Sequence, residues 1–187
     1  MSLPPDQKTY LLNLARQTIE DYFNKHQKPE IDVKKIDPIL AKPAATFVTL
    51  TKNGELRGCI GSLIARKPLF QNIIDNSLLA AFADNRFPQV EESELDTIKI
   101  EISVLLESKP YQYHNADILL KVIQPNKHGI IIQNGFNQAT FLPQVWGDLP
   151  DKTQFLEALC QKANLDKNAW RDPSSEIFFY TVENFSE

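Results

Sequence analysis

Apolar residues recur at three- and four-residue steps near the start of the chain: Leu11, Leu14, Ala15, Thr18, Ile19, Tyr22 and Phe23, with Tyr10 beside them. That spacing draws one stripe along a helix. Pro4 and Pro5 precede it, Asp6 suits an N-cap, and Pro29 requires the helix to fade near His26. Residues 27–43 hold three prolines and several lysines and read as an irregular crossing, not as a boundary between two domains.

The period then changes. Ala45 to Thr51 is rich in β-branched and apolar residues, Asn53-Gly54 is the preferred dipeptide of a two-residue type I′ turn, and Leu56 to Ile60 returns as the partner strand. Pro68 suits the first turn of a second helix, with Leu69, Ile73, Asn76, Ser77, Ala80 and Ala81 on one face and an end near Asp84-Asn85. Ile98, Ile100, Ile102 and Val104 alternate with Lys99, Glu101 and Ser103, which predicts a half-buried strand. Further on, the pattern predicts a short helix over Ala116–Val122 and a strand opening at His128-Gly129. A turn at Asn134-Gly135 leads into Ala139–Leu142, a helix over Thr153–Ala163 follows, and a terminal strand runs over Ile177–Val182. This order is not a repeating βαβ pattern. It predicts an α+β fold, a largely antiparallel sheet flanked by helices. The 187 residues fit one domain with a smaller subdomain packed on the main sheet.

Composition adds limits. The chain is 42% hydrophobic and 24% charged, with a net charge of -4, ordinary values for an ordered globular protein. Nucleic acid is disfavoured as a partner, because phosphate binding asks for a basic excess. Two cysteines, Cys59 and Cys160, are too few for a secreted disulfide scaffold. The first residues show no signal peptide, and no apolar run reaches the ~18 residues a membrane span requires. A cytoplasmic protein without a membrane association is the expectation.

The candidate chemistry gathers at Leu56-Arg57-Gly58-Cys59-Ile60-Gly61. Strand alternation puts Glu55, Arg57 and Cys59 on one face and Leu56, Gly58 and Ile60 on the other, which is expected to face the core. A positive charge ~7 Å from a thiol favours the thiolate by ~0.6 kcal/mol in water and ~2.4 kcal/mol at an effective dielectric of ~20, and Glu55 offsets it. Gly58 and Gly61 bracket the cysteine, and glycine inside a strand marks a close approach to the backbone by a ligand or by another element. Two readings of Cys59 stand side by side: a reactive thiol and a small buried hydrophobe.

His128 precedes Gly129 at a strand start, and a Cys59–His128 pair has nucleophile-plus-base logic; a histidine there also serves simply to close a turn. Arg86 suits an anion or a neighbouring carboxylate. Leu142-Pro143-Gln144-Val145-Trp146-Gly147 is either a pocket wall, through Gln144 and Trp146, or a plain turn. The three histidines have no ligand spacing and no C-x-x-C occurs, so no metal and no cofactor is expected. Gly58-x-x-Gly61 lacks the Gly-Lys-Ser/Thr of a phosphate loop.

The run Phe47–Leu50 with Asn53–Gly61 resembles the AMMECR1 domain family, whose hallmark is the LRGCIG hexapeptide. Arg86-Phe87-Pro88, Ile100–Leu105, His128-Gly129, Leu142-Pro143-Gln144-Val145, Phe155-Leu156 and Cys160–Ala163 are similar to further family segments in the same order. Asn85 stands where the family commonly has proline, and residues 124–127 lack its frequent glycine. The resemblance implies a compact α+β protein with a main sheet domain and a smaller subdomain, and the hexapeptide near their junction. It also implies a shared pathway with Memo-like and radical SAM proteins, without supplying a reaction. Two functions follow as expectations. One is an enzyme or enzyme component using Cys59 and Arg57, with Arg86 and His128, on an unknown small molecule. The other is a non-enzymatic adaptor whose 56–61 hairpin is the recognition surface.

Overall fold

The computed structural model of the chain describes residues 3–106 and 108–187; Met1 and Ser2, read above for a leader, lie outside them. In chain order the elements are α1 (Pro5–Lys25), β1 (Thr46–Lys52), β2 (Glu55–Gly61), α2 (Leu69–Phe82), β3 (Ile98–Leu105), β4 (Lys109–Tyr111), α3 (Ala116–Val122), β5 (Gly129–Asn134), β6 (Asn137–Phe141), α4 (Lys152–Lys162), β7 (Glu176–Tyr180) and β8 (Val182–Ser186). They form an α+β fold with two four-stranded antiparallel sheets. The chain divides into two compact units, one running to Val104 and including Glu183–Glu187, the other Leu105–Val182.

The first unit holds the sheet β2-β1-β3-β8. β1 lies centrally because both its neighbours read as amphipathic partners: it pairs antiparallel with β2 and with β3. Val48, Leu50, Ile100 and Ile102 are fully buried on one face, against Leu11, Ile19, Ile73 and Ile74 of the two helices. Burying each such side chain contributes about 1.5–3 kcal/mol. α1 starts two residues earlier than expected. Pro4 is its N-cap and Pro5 its first residue, with Asp6 inside the first turn, where a carboxylate complements the helix dipole. It ends at His26, whose left-handed φ of 52° lets its N–H reach the Tyr22 carbonyl. α2 begins directly after Pro68 and stops at Phe82. Asn53 and Gly54 both have positive φ, 55° and 84°, as a type I′ turn requires.

The second unit holds the sheet β4-β7-β5-β6, packed with α3 and α4 around Trp146, Trp170, Phe155, Leu159 and Ile177. Stacking is close there: Trp146 and Phe155 have ring centroids 3.6 Å apart and nearly parallel planes. The predicted single strand Ile177–Val182 is two strands. β7 ends at Tyr180 and β8 begins at Val182, and they belong to different sheets. An unbroken apolar run carries no mark of that change, because both halves are equally good strand formers.

Candidate functional site

The site grows from one irregularity in the hairpin. Counted back from the turn, Lys52 pairs with Glu55 and Thr51 with Leu56, but Leu50 then pairs with Gly58 and Thr49 with Cys59. Arg57 is the extra residue of a β-bulge, a device that re-aims side chains. Without the bulge Arg57 would stand opposite fully buried Leu50. With it, Gly58 takes that place, and an added Cβ there would overlap the Ala80 carbonyl oxygen of α2. Gly61 meets the Phe47 ring and the Thr46 carbonyl in the same way. What approaches these glycines is therefore the protein's own backbone and ring. The bulge also overturns the expected alternation. Gly58 and Ile60 keep to the core side, but Leu56 stands opposite Thr51 on the other face and is 43% exposed.

Arg57 is fully engaged. Its Nε and Nη2 donate to the two carboxylate oxygens of Glu94 at 3.1 and 2.9 Å, while Nη1 and Nη2 donate to the carbonyls of Pro88 and Gln89 at 2.8 and 3.1 Å. Lys52 also pairs with Glu94, at 2.9 Å. The Arg57 guanidinium, helped by Lys52, holds the Glu94 carboxyl down to about 2. The positive charge expected to serve the thiol is thus neutralised by a bidentate carboxylate.

Cys59 lies in an edge strand, and its outward backbone groups are satisfied by side chains. Its N–H donates to Asp84 Oδ2 at 2.8 Å, and its carbonyl accepts from Arg86 Nη2 at 3.1 Å. Arg86 in turn grips Asp84 through Nε to Oδ1 and Nη2 to Oδ2, at 2.9 and 2.7 Å. The Asp84 side chain is only 3% exposed against 54% for Arg86. The Arg86 guanidinium, with the Cys59 and Arg86 N–H groups, holds the Asp84 carboxyl well below the usual range. Together the pair stands in for the missing neighbour strand, which protects an edge from pairing with another chain. The half-buried Cys59 Sγ accepts from Thr49 Oγ1 at 3.3 Å.

The remaining candidates belong to the second unit. His128 closes the turn after α3. Its N–H donates to the Gln124 carbonyl at 3.0 Å, and its Nδ1 accepts from the Gln124 N–H at 3.3 Å. Its ring stacks on Phe179 at 5.0 Å, and burial, with the nearby Lys127 charge, pushes its pKa down. Trp146 is buried, and its Nε1 donates to the His128 carbonyl at 2.8 Å. Gln144 is exposed on the same short helical turn, Pro143–Gly147. The structure thus gathers Arg57, Gly58, Cys59, Gly61 and Arg86 in one unit, and His128, Gln144 and Trp146 in the other.

Three residues here escaped the sequence reading. Asp84 had a signal, an acid two residues before Arg86 at a helix end. Thr49 needed the bulged register to be placed beside Cys59. Glu94 sits in an acidic stretch, Glu91-Glu92-Ser93-Glu94, where nothing singles it out.

Comparison with known proteins places the chain among relatives of its own length. The AMMECR1 family model matches residues 12–185. Protein MK0488 of Methanopyrus kandleri is 36% identical over 186 residues, covering 95% of this chain and 87% of that protein. Protein NEQ441 of Nanoarchaeum equitans is 35% identical over 183 residues, covering 95% and 98%. The crystal structure of the uncharacterized protein PH0010 from Pyrococcus horikoshii superposes with a TM-score of 0.91 at 30% identity, covering 99% of this chain and 93% of that one.

Proposed function

The chain belongs to the AMMECR1 family, and from that premise we propose that it is a non-enzymatic recognition module whose contact surface is the β1–β2 hairpin. One observation carries the reading: the bulge at Arg57 turns Leu56 out of the core and leaves it exposed, on a strand that two arginine clamps hold fixed. A rigid, exposed apolar anchor beside a polar rim is how a protein partner is engaged at low ordering cost. The arginines themselves are occupied by internal carboxylates and carbonyls, so they frame the surface and leave its contact to Leu56 and its neighbours.

The partners proposed are the Memo-like and radical SAM proteins that accompany the family, met in the cytoplasm; both cysteines are free thiols and no described helix is long and apolar enough to cross a membrane. Co-expression of the chain with these two proteins from the same genome tests it. Leu56→Asp is expected to abolish co-purification at unchanged thermal midpoint, and Cys59→Ala to retain it. Loss with Cys59→Ala and retention with Leu56→Asp would overturn the recognition reading.

A second reading, an enzyme component acting through Cys59 on a small molecule, is favoured by the Thr49 hydroxyl donating to Sγ. Against it, the Arg57 charge is taken up by Glu94.

A further inference from the structure

Phe136 is fully exposed, more so than any other large apolar side chain among the described residues. It stands at the tip of the β5–β6 hairpin, in a two-residue loop. Asn134 pairs with Asn137, and Gly135 takes the positive φ of 59° that the first loop position requires. Two hydrogen bonds fix the tip: Asn134 Nδ2 donates to Ser174 Oγ at 3.3 Å and to Ser175 Oγ at 3.2 Å. One exposed ring is ordinary on a protein surface. This one is set apart by what lies at the same end of its sheet.

That end also carries a cleft. β5 finishes there, β7 begins there with Glu176 paired to Gln133, and β4 finishes there with Tyr111 paired to Ile177. Past that last pair β4 and β7 part. Buried Tyr113 donates its hydroxyl to the Trp170 carbonyl at 2.6 Å, and the Ser175 N–H turns back to the Asp172 carbonyl at 2.9 Å. The opening has a volume of about 400 Å³, and Pro110, Tyr111, Tyr113, Pro173 and Ile177 are five of its nine lining residues. An apolar cavity of ~150 Å³ already holds benzene, so a phenyl ring fits here. Ser175 belongs both to this lining and to the contact that fixes the hairpin tip.

In the order β4-β7-β5-β6 the cleft lies between the first two strands and the tip between the last two. They are two strand spacings apart, ~10 Å. A two-fold axis along the sheet normal, passing between β7 and β5, turns two copies end to end. It sets each Phe136 over the other copy's cleft, the isologous arrangement in which one patch meets itself. The residues beside Phe136 in the hairpin, Gln133, Asn134, Asn137 and Gln138, are uncharged, so the two tips meet their clefts without bringing like charges with them.

We propose that this end of the sheet binds a second copy of the chain, the Phe136 ring of each seated in the β4–β7 cleft of the other. Two aromatic anchors of ~150–250 Å² each, with the walls they cover, stay below the ~1,200 Å² of a stable complex. The dimer is therefore weak and forms at high protein concentration. The inference does not rest on the recognition reading of the β1–β2 hairpin. For the test, the isotope-labelled full chain carrying Phe136→Ser receives an excess of unlabelled wild type while its amide resonances are followed. Saturable shifts are expected at residues 111–114 and 174–177, and unlabelled Phe136→Ser is expected to cause none. Sedimentation over a concentration series is expected to show a dimer for the wild type and one at least tenfold weaker for Phe136→Ser, at unchanged thermal midpoint. A wild type that stays monomeric, cleft amides that ignore it, an equal response to unlabelled Phe136→Ser, or wild-type dimerisation of that variant would each overturn the proposal.

Discussion

Asp84 and Cys59 are joined backbone to side chain at the free edge of β2: the Cys59 N–H donates to Asp84 Oδ2 at 2.8 Å, and the same carboxylate holds Arg86 against the Cys59 carbonyl. One acid thereby satisfies both edge-facing backbone groups of a single residue, directly and through its arginine.

Removing that acid exposes the arrangement. Asp84→Ala leaves the Cys59 N–H without its acceptor and Arg86 without its anchor. A lost charge-assisted hydrogen bond costs about 1.5–3 kcal/mol, so a loss of about 2 kcal/mol is expected, read as a lower denaturant midpoint at unchanged slope. Faster amide exchange at Cys59 should accompany it.

The two clamps also set an acid limit. Asp84 and Glu94 both have carboxyls held below their ordinary values, Glu94 at about 2 against 4.5. A depressed folded value means the unfolded state takes up protons first. Their contribution is therefore complete above pH 4.5 and is lost as pH falls towards 2. Glu94→Gln should flatten the stability profile across that window, measured by denaturation at a series of pH values. An unchanged profile would remove Glu94 from the account.

Gly58 has no room for a side chain. Gly58→Ala sets a methyl group against the Ala80 carbonyl, a backbone atom that cannot rotate away. Overpacking of this kind costs about 1–3 kcal/mol. Gly147→Ala, whose Cβ would meet nothing within 4 Å, is the matched control and should change stability by less than about 0.5 kcal/mol. Equal effects at the two sites would contradict close packing of α2 on β2.

Thr49 is the group that touches the thiol. Thr49→Val removes the hydroxyl that donates to Sγ while keeping the shape. Labelling of Cys59 by a thiol reagent should change in rate, because the hydroxyl no longer holds the sulfur. A rate equal to the wild type would show the hydroxyl to be without effect on sulfur chemistry. Cys160 is fully buried and should remain unlabelled in the folded protein.

Arg57→Lys tests whether charge alone suffices. A single ammonium cannot reproduce a fork that meets Glu94 twice and two carbonyls besides. Faster amide exchange is expected at Val90, whose N–H donates to the Ala81 carbonyl, and at Glu91, whose N–H donates to Glu94 Oε2. Exchange at wild-type rates would mean that the 88–94 segment holds without the clamp.

Periodicity by itself determined most of the framework. The stripe Leu11–Ile19, the Asn53-Gly54 turn and the alternation Ile98–Val104 are local patterns that follow from repeat length, and each stands where that repeat puts it, while Tyr10 and Tyr22, counted with the same stripe, are exposed. Residue order alone also carried the family resemblance. Tertiary structure decided the rest. The division of Ile177–Val182 between two sheets depends on which strands lie alongside, and nothing in a short apolar run encodes its neighbours. The bulge at Arg57 is set by the need to face Ala80 with a glycine and to bring a guanidinium to Glu94, 37 residues away in sequence. One inserted residue reverses every face beyond it. That is why alternation alone assigned Leu56 to the core and Arg57 to the thiol, and why packing against α2 and the 84–94 segment sends Leu56 to solvent and Arg57 to a carboxylate.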